Sequence, residues 1–176
     1  VSENGVLHIF GTGEMYDFAA APWDAYKERI TALVFDDGAT NVSEFAFKGC
    51  VGIEEIRFPA SVTSIAPGAL AGCKALRYVR LPDGISEIAD DLFSNCDFLQ
   101  ALYIPDSVTR IGARAFDSCT SLTAIELPDG VTQIDERAFQ HTGFATIGLP
   151  NSLTQIGKYA FQYSGLVRID IPDSVT

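Results

Sequence analysis

Histidine is almost missing from this chain: His8 and His141 are the only two among 176 residues, and no GxSxG, HExxH or P-loop pattern accompanies them. The usual nucleophile, zinc-protease and nucleotide motifs are thereby removed. Basic residues are also scarce, 12 against 23 acidic ones, for a formal net charge of -11. A surface that tracks phosphates needs clustered Lys and Arg to release counterions, so the charge argues against nonspecific nucleic-acid binding and no nucleic-acid partner is expected. No stretch approaches the roughly 18 apolar residues of a membrane helix, and membrane insertion is not expected. The opening VSENGVLHIF lacks the basic segment and apolar run of an export signal, so any such signal is expected to have been removed. What is present is 47% apolar and 20% charged residues, the balance of an ordered chain with a buried core.

The apolar residues are periodic on a long scale. Ile30, Ile53, Leu76, Leu99, Leu122, Phe144 and Leu166 follow one another at steps of 23 or 22 residues. The units between them, such as LQALYIPDSVTRIGARAFDSC and LTAIELPDGVTQIDERAFQHT, reduce to LxxIxIPDxVTxIxxxAFxxC. A repeat of this length that opens on LxxIxI is a leucine-rich-repeat pattern.

Within each unit the first residues alternate. Ile53, Ile56 and Phe58 would face inward and Glu55 and Arg57 outward, so each repeat supplies one short strand to a parallel sheet. The Pro-Asp that follows, as in Pro82-Asp83-Gly84 and Pro105-Asp106-Ser107, ends the strand, because proline has no ladder donor and Asp favours turns. Val108 and Ile111 return to the core. Ala115, Phe116 and Cys119 then share one face of an expected short helical segment. The fold expected is a right-handed leucine-rich-repeat solenoid, a β/α superhelix about 30 Å long. One repeat cannot bury enough apolar surface to hold itself, so neighbours must stack and the ends need special units. Residues 1–29 read as an N-terminal capping unit: Leu7 and Ile9 suggest a strand, and Pro22 opens a helical stretch with Trp23, Tyr26 and Ile30 on one face. Residues 30–176 read as the repeats. The last is truncated at Ile171-Pro172-Asp173-Ser174-Val175-Thr176, which suggests a fragment of a longer protein with an edge open to self-association.

The units resemble those of the BspA-like leucine-rich-repeat family, IPxSVTxIGxxAFxxC, over residues 30–176. The opening is similar to that family's N-terminal segment, since Leu7, Ile9, Gly11, Gly13, Met15, Asp17, Phe18, Pro22 and Trp23 match LxIxGxGxMxDF followed by PW. The resemblance implies a secreted or surface-attached protein, mostly of host-associated bacteria, linked with adhesion to host matrix proteins or to other cells.

Several residues invite chemistry but have a plainer reading. Cys50, Cys73, Cys96 and Cys119 hold one repeat position, where Thr142 and Ser164 follow. Strands stacked about 4.8 Å apart spread four sulfurs too far to surround one zinc at about 2.3 Å. Their Cβ vectors run side by side, so buried free thiols are expected. Asp37, Asp83, Asp106, Asp129 and Asp173 form an acidic file of oxygen donors, the kind calcium prefers, but one carboxylate per repeat without GGxGxD spacing fits turn chemistry. Gly11-Thr12-Gly13 lacks the third glycine and the helix of a phosphate loop. Asn41-Val42-Ser43 matches the glycosylation triplet, a short pattern of little weight. Carboxylate pairs such as Glu54-Glu55 and Asp90-Asp91 are adjacent in sequence, whereas a glycosidase needs carboxyls facing across a cleft. No catalytic residue, metal or cofactor is expected.

The outward sheet positions vary most, and a repeat protein meets its partners there. One file reads Ala32, Glu55, Tyr78, Ala101, Ala124, Thr146, Arg168; the other reads Val34, Arg57, Arg80, Tyr103, Glu126, Gly148, Asp170. Arg57, Tyr78, Arg80 and Tyr103 should therefore be neighbours, and Tyr and Arg dominate binding hot spots. The expected function is a noncatalytic surface or secreted module that binds a protein or glycan, a host matrix component included, through these four residues. Ordinary cross-strand stacking on a structural spacer of a larger surface protein is the alternative.

Overall fold

The computed structural model describes residues 1–17 and 20–176; Phe18, matched above, lies outside the described residues. Its strands are short and numerous. In chain order they are β1 (Val6–Ile9), β2 (Ala32–Phe35), β3 (Asn41–Val42), β4 (Glu55–Arg57), β5 (Ser64–Ile65) and β6 (Tyr78–Arg80). They continue as β7 (Glu87–Ile88), β8 (Ala101–Tyr103), β9 (Arg110–Ile111), β10 (Gln133–Ile134) and β11 (Gln155–Ile156). The LxxIxI stretches form one side of a solenoid, as the parallel groups β1-β2-β4 and β6-β8. The VTxI stretches form a second side, β3-β5 and β7-β9-β10-β11, also parallel. The alternation accounts for the first side but did not reveal the second: Val108 and Ile111 reach the core as expected, yet Ile111 does so from a strand. Register matches inward residue to inward residue, Leu33 on Ile56, Val79 on Leu102 and Ile111 on Ile134.

The third side corrects the expectation of a helical segment in each repeat. Ala115, Phe116 and Cys119 are fully buried, but the backbone around them is a train of turns. Asp91, Asn95, Arg114, Ser118, Arg137 and His141 all have φ between 53° and 63°, and a right-handed helix cannot pass through left-handed residues. The N–H groups of Arg114, Phe116 and Ser118 donate instead to the carbonyls of Glu136, Ala138 and Gln140 in the next repeat. Backbone satisfaction is thus bought between turns of the solenoid rather than within them. Among the described residues the only helix is a 3-10 turn at Asp24–Tyr26, so the architecture is a β-solenoid and not a β/α superhelix.

At the N-terminal end β1 pairs with β2, and Trp23 stacks on Phe47 at 5.2 Å while its Nε1 donates to the Ala46 carbonyl at 2.8 Å. Trp23 and Ile30 are buried as read from the sequence, but Tyr26 is 44% exposed. A single 3-10 turn does not sustain the helical spacing that would have aligned all three.

The core is a file of equivalent residues. Phe93, Phe116, Phe139 and Phe161 stack nearly parallel with centroids 5.5, 5.3 and 5.5 Å apart; Leu70 holds the same position in an earlier repeat. The four cysteines run beside this ladder, free and buried. The thiols of Cys73, Cys96 and Cys119 donate to the carbonyls of Phe47, Leu70 and Phe93, each one repeat back. Thr142 and Ser164 donate instead to Phe139 and Phe161 of their own repeats. Burial pushes Cys50 up to about 11 and Cys96 to about 12, and holds Cys73 and Cys119 well above the ordinary thiol range.

On the second side Arg110, in β9, ties its repeat to the two that flank it. Its guanidinium meets Glu87 at 2.8 Å, Asp90 at 2.7 Å and Asp135 at 2.5 Å. Burial lowers its pKa, but the hydrogen bonds to Glu87 and Asp90 and the charge of Asp135 outweigh that and raise it overall. Arg110→Met is expected to cost about 1–3 kcal/mol, the partial exposure of the cluster discounting the penalty of stranded carboxylates. Urea midpoints at low and high salt check this, since salt should shrink the difference by screening Glu87, Asp90 and Asp135 from one another. The Asn41 triplet is also structural: Asn41 Oδ1 accepts from Met15 N, Asn41 Nδ2 donates to Met15 O, and Ser43 is buried.

Candidate binding face

Strand alternation delivers the predicted residues to solvent. In β4, β6 and β8 the central Ile56, Val79 and Leu102 point inward while Glu55, Arg57, Tyr78, Arg80, Ala101 and Tyr103 point outward. Cross-strand register places Arg80 opposite Tyr103 and Tyr78 opposite Ala101. Proline after each strand stops the ladder, so these strands are only three residues long and each repeat shows two outward side chains.

The four residues do not form one mutual cluster. Arg80 and Tyr103 are brought together, the guanidinium carbon 4.2 Å from the ring centroid, a cation–π contact that pre-positions the arginine. Arg57 and Arg80 line the same shallow cleft of about 290 Å³, over Ile56, Phe58 and Leu81 and beside Asp83. Tyr78 belongs to the other file and donates its hydroxyl to Gln100 Oε1 at 2.9 Å. Arg57 is paired within its own strand, 2.6 Å from Glu55, and Arg80 reaches Asp83 at 3.6 Å. Both pairs are exposed, and pairs in that setting hold their partners weakly.

Two residues of this face escaped the sequence reading. Arg77, just before β6, lies over the ring of Phe98 at 5.5 Å, and Phe98 is 50% exposed. The outward files were counted only within LxxIxI; extending them one residue upstream in each repeat would have aligned Arg77 with Gln100 and set Phe98 beside it. The turn aspartates sit where the sequence put them, Asp83, Asp106, Asp129 and Asp173 all exposed or partly so. Among the described residues no group of three or more His, Cys, Asp or Glu is placed to hold a metal ion. Gly13 forms an isolated parallel bridge to Ala39 of the next unit.

A larger cavity of about 460 Å³ lies at the N-terminal turn, lined by His8, Phe10, Met15, Tyr16 and Trp23 among others. None of the four predicted residues borders it, and it brings no arginine. The sheet face is the better candidate because charged donors, an acceptor amide and exposed rings converge there.

Comparison with known proteins agrees with this architecture. A family model described as a BspA type leucine rich repeat region matches residues 25–143 and 86–176, with six copies. The chain is similar to a leucine-rich repeat protein of Bacteroides ovatus, 26% identical with a TM-score of 0.69, over 97% of this chain and 52% of that one. It thus spans about half the length of that protein. It shares its fold with a T. pallidum leucine rich repeat protein, 22% identical with a TM-score of 0.67, over 86% of this chain and 76% of that one. No curated protein matches the sequence. With the same unit repeated over residues 25–176, the chain belongs to the BspA-type leucine-rich repeat family.

Proposed function

We infer that the chain is a noncatalytic binding module of a secreted or surface-attached bacterial protein, taking a protein or glycan ligand on its outward sheet face. The observation that carries this is Arg80 stacked on Tyr103 at 4.2 Å, beside Arg57 and Tyr78, which are largely exposed in a chain of net charge -11. Residues of this kind offer large contact area and directed donors, and they reach solvent already oriented. Membership of a repeat family supports the absence of catalysis, since the fold presents a surface rather than an enclosed site. Among the described residues no helix is long and apolar enough to cross a membrane.

The test is binding of the chain and of a variant with Arg57, Tyr78, Arg80 and Tyr103 all changed to Ala, to immobilised matrix proteins, mucin and bacterial glycans. The variant is expected to lose at least tenfold in affinity for the ligand bound, with its thermal melt unchanged within a few degrees. Equal binding by both forms would move the site elsewhere on the solenoid, and no binding by either would favour the spacer reading.

A further inference from the structure

The face that carries the proposed binding function has its exposed apolar surface in rings, Tyr78, Tyr103 and, at its edge, Phe98. Outside Tyr78 and Tyr103, its outward positions on β4, β6 and β8 are Glu55, Arg57, Arg80 and Ala101. The cleft between the two arginines lies over Ile56 and Leu81, which the core already buries to 7% and 0% exposure, and over the partly buried Phe58. A protein partner normally docks by filling a deep central apolar pocket, whereas this cleft is shallow and bordered by the charged Arg57, Arg80 and Asp83.

What the face offers instead is an exposed phenol among planar polar groups. Tyr78 is 61% exposed. Gln100, from the next repeat, accepts its hydroxyl proton through Oε1, leaving the amide nitrogen to donate. Glu55 occupies the equivalent position on β4, and Arg80 lies two residues along the same strand. Planar amide, carboxylate and guanidinium groups pair with the vicinal hydroxyls of a sugar, and the C–H face of a pyranose stacks on an exposed ring. Arg80 adds a preference for charge. It is held over Tyr103, its contact with Asp83 is 3.6 Å, and both of those charged side chains are exposed, 69% and 74%. A ligand carboxylate can displace so weak a partner and take the guanidinium in bidentate form.

We propose that the ligand of this face is a carboxylated glycan, with a sugar ring on Tyr78 and its carboxylate on Arg80, assisted by Arg57. The inference rests on the face being the binding surface. A densely sulfated chain is disfavoured, because the net charge of -11 repels a polyanion that two arginines cannot offset, whereas a single carboxylate is recognised at short range.

The experiment titrates the 176-residue chain calorimetrically with a hyaluronan oligosaccharide, 3'-sialyllactose, neutral lactose and heparin, and repeats it with Arg80→Ala, Arg80→Lys and Tyr78→Ala. The expected result is saturable binding to the uronate or the sialate, at least tenfold tighter than to lactose or heparin. Arg80→Ala and Tyr78→Ala should each weaken it at least tenfold, and Arg80→Lys less than Arg80→Ala; the two carboxylated probes tell the sources apart. Equal affinity for lactose, tighter binding to heparin, or undiminished binding by Arg80→Ala with an unchanged melt would overturn the proposal. If no glycan binds while a matrix protein binds in a manner that depends on the four residues, the glycan class falls and the binding face stands. If no ligand responds to any of the variants, both fall.

Discussion

Phe116→Ala is expected to cost about 3–5 kcal/mol, the range for emptying a fully buried aromatic site. Phe116 has no solvent exposure and is stacked on both sides, 5.5 Å from Phe93 and 5.3 Å from Phe139. Its backbone is bound as well, with the N–H given to Ala138 of the next repeat, so the turn cannot collapse into the space without breaking inter-repeat hydrogen bonds. Phe161, only partly buried and, among the described residues, stacked on Phe139 alone, should cost less on the same change, about 1–2 kcal/mol. Denaturant midpoints check both values. Because coupling in a solenoid runs between nearest neighbours, amide exchange should accelerate most in the repeats holding Phe93 and Phe139 and least around Leu33. A loss below 1 kcal/mol, or exchange that rises evenly along the chain, would contradict the ladder as the carrier of cooperativity.

Stability is expected to fall steeply above about pH 9. The sign follows from burial: Cys73, Cys96 and Cys119 have no solvent exposure, and their thiol pKa values are raised in the folded state, to about 12 for Cys96. Below the unfolded pKa, about 8.5, both states hold the proton and the stability is fully present. As pH rises past that point only the unfolded chain ionises, so each thiol removes up to about 1.4 kcal/mol per pH unit until the folded pKa is reached. Three such groups give a slope of up to about 4 kcal/mol per pH unit between pH 9 and the folded values, and Cys50, raised to about 11, adds up to about 1.4 below that pH, together enough to unfold a domain of ordinary stability. Replacing the three by Thr, the residue the chain itself uses at Thr142, should flatten the slope although neutral stability changes by only about 1–2 kcal/mol each. Circular dichroism between pH 7 and 11 separates the cases: equal alkaline midpoints for the two proteins would reject the thiols as the cause.

Much of this was legible without coordinates because the repeat carries it. A residue recurring every 22 or 23 positions must stack on its own equivalents, and so Phe116, Cys119, Val108 and Ile111 could be assigned to the core. The backbone between them was less legible. AFxxC has helical spacing, and nothing in its composition announces that Asp91, Arg114 and Arg137 adopt positive φ, a conformation ordinary side chains avoid unless neighbours enforce it. The enforcement comes from the next repeat, whose carbonyls collect the N–H groups. On the outward sheet face the alternation placed all four predicted side chains in solvent, but not which partner each would take. Register set Tyr103 opposite Arg80 and Ala101 opposite Tyr78, and the small Ala101 leaves the Tyr78 hydroxyl to Gln100, one residue earlier.

The sequence by itself determined the solenoid, the inward and outward sets and the burial of the cysteines, since period and alternation are properties of one chain read along its length. Tertiary structure alone decided that the third side is turns, that Arg110 gathers Glu87, Asp90 and Asp135, and that Arg77 joins the face through Phe98. Those outcomes depend on hydrogen bonds and contacts between residues 20 or more positions apart, and only stacking of one repeat on the next brings such residues within reach of each other.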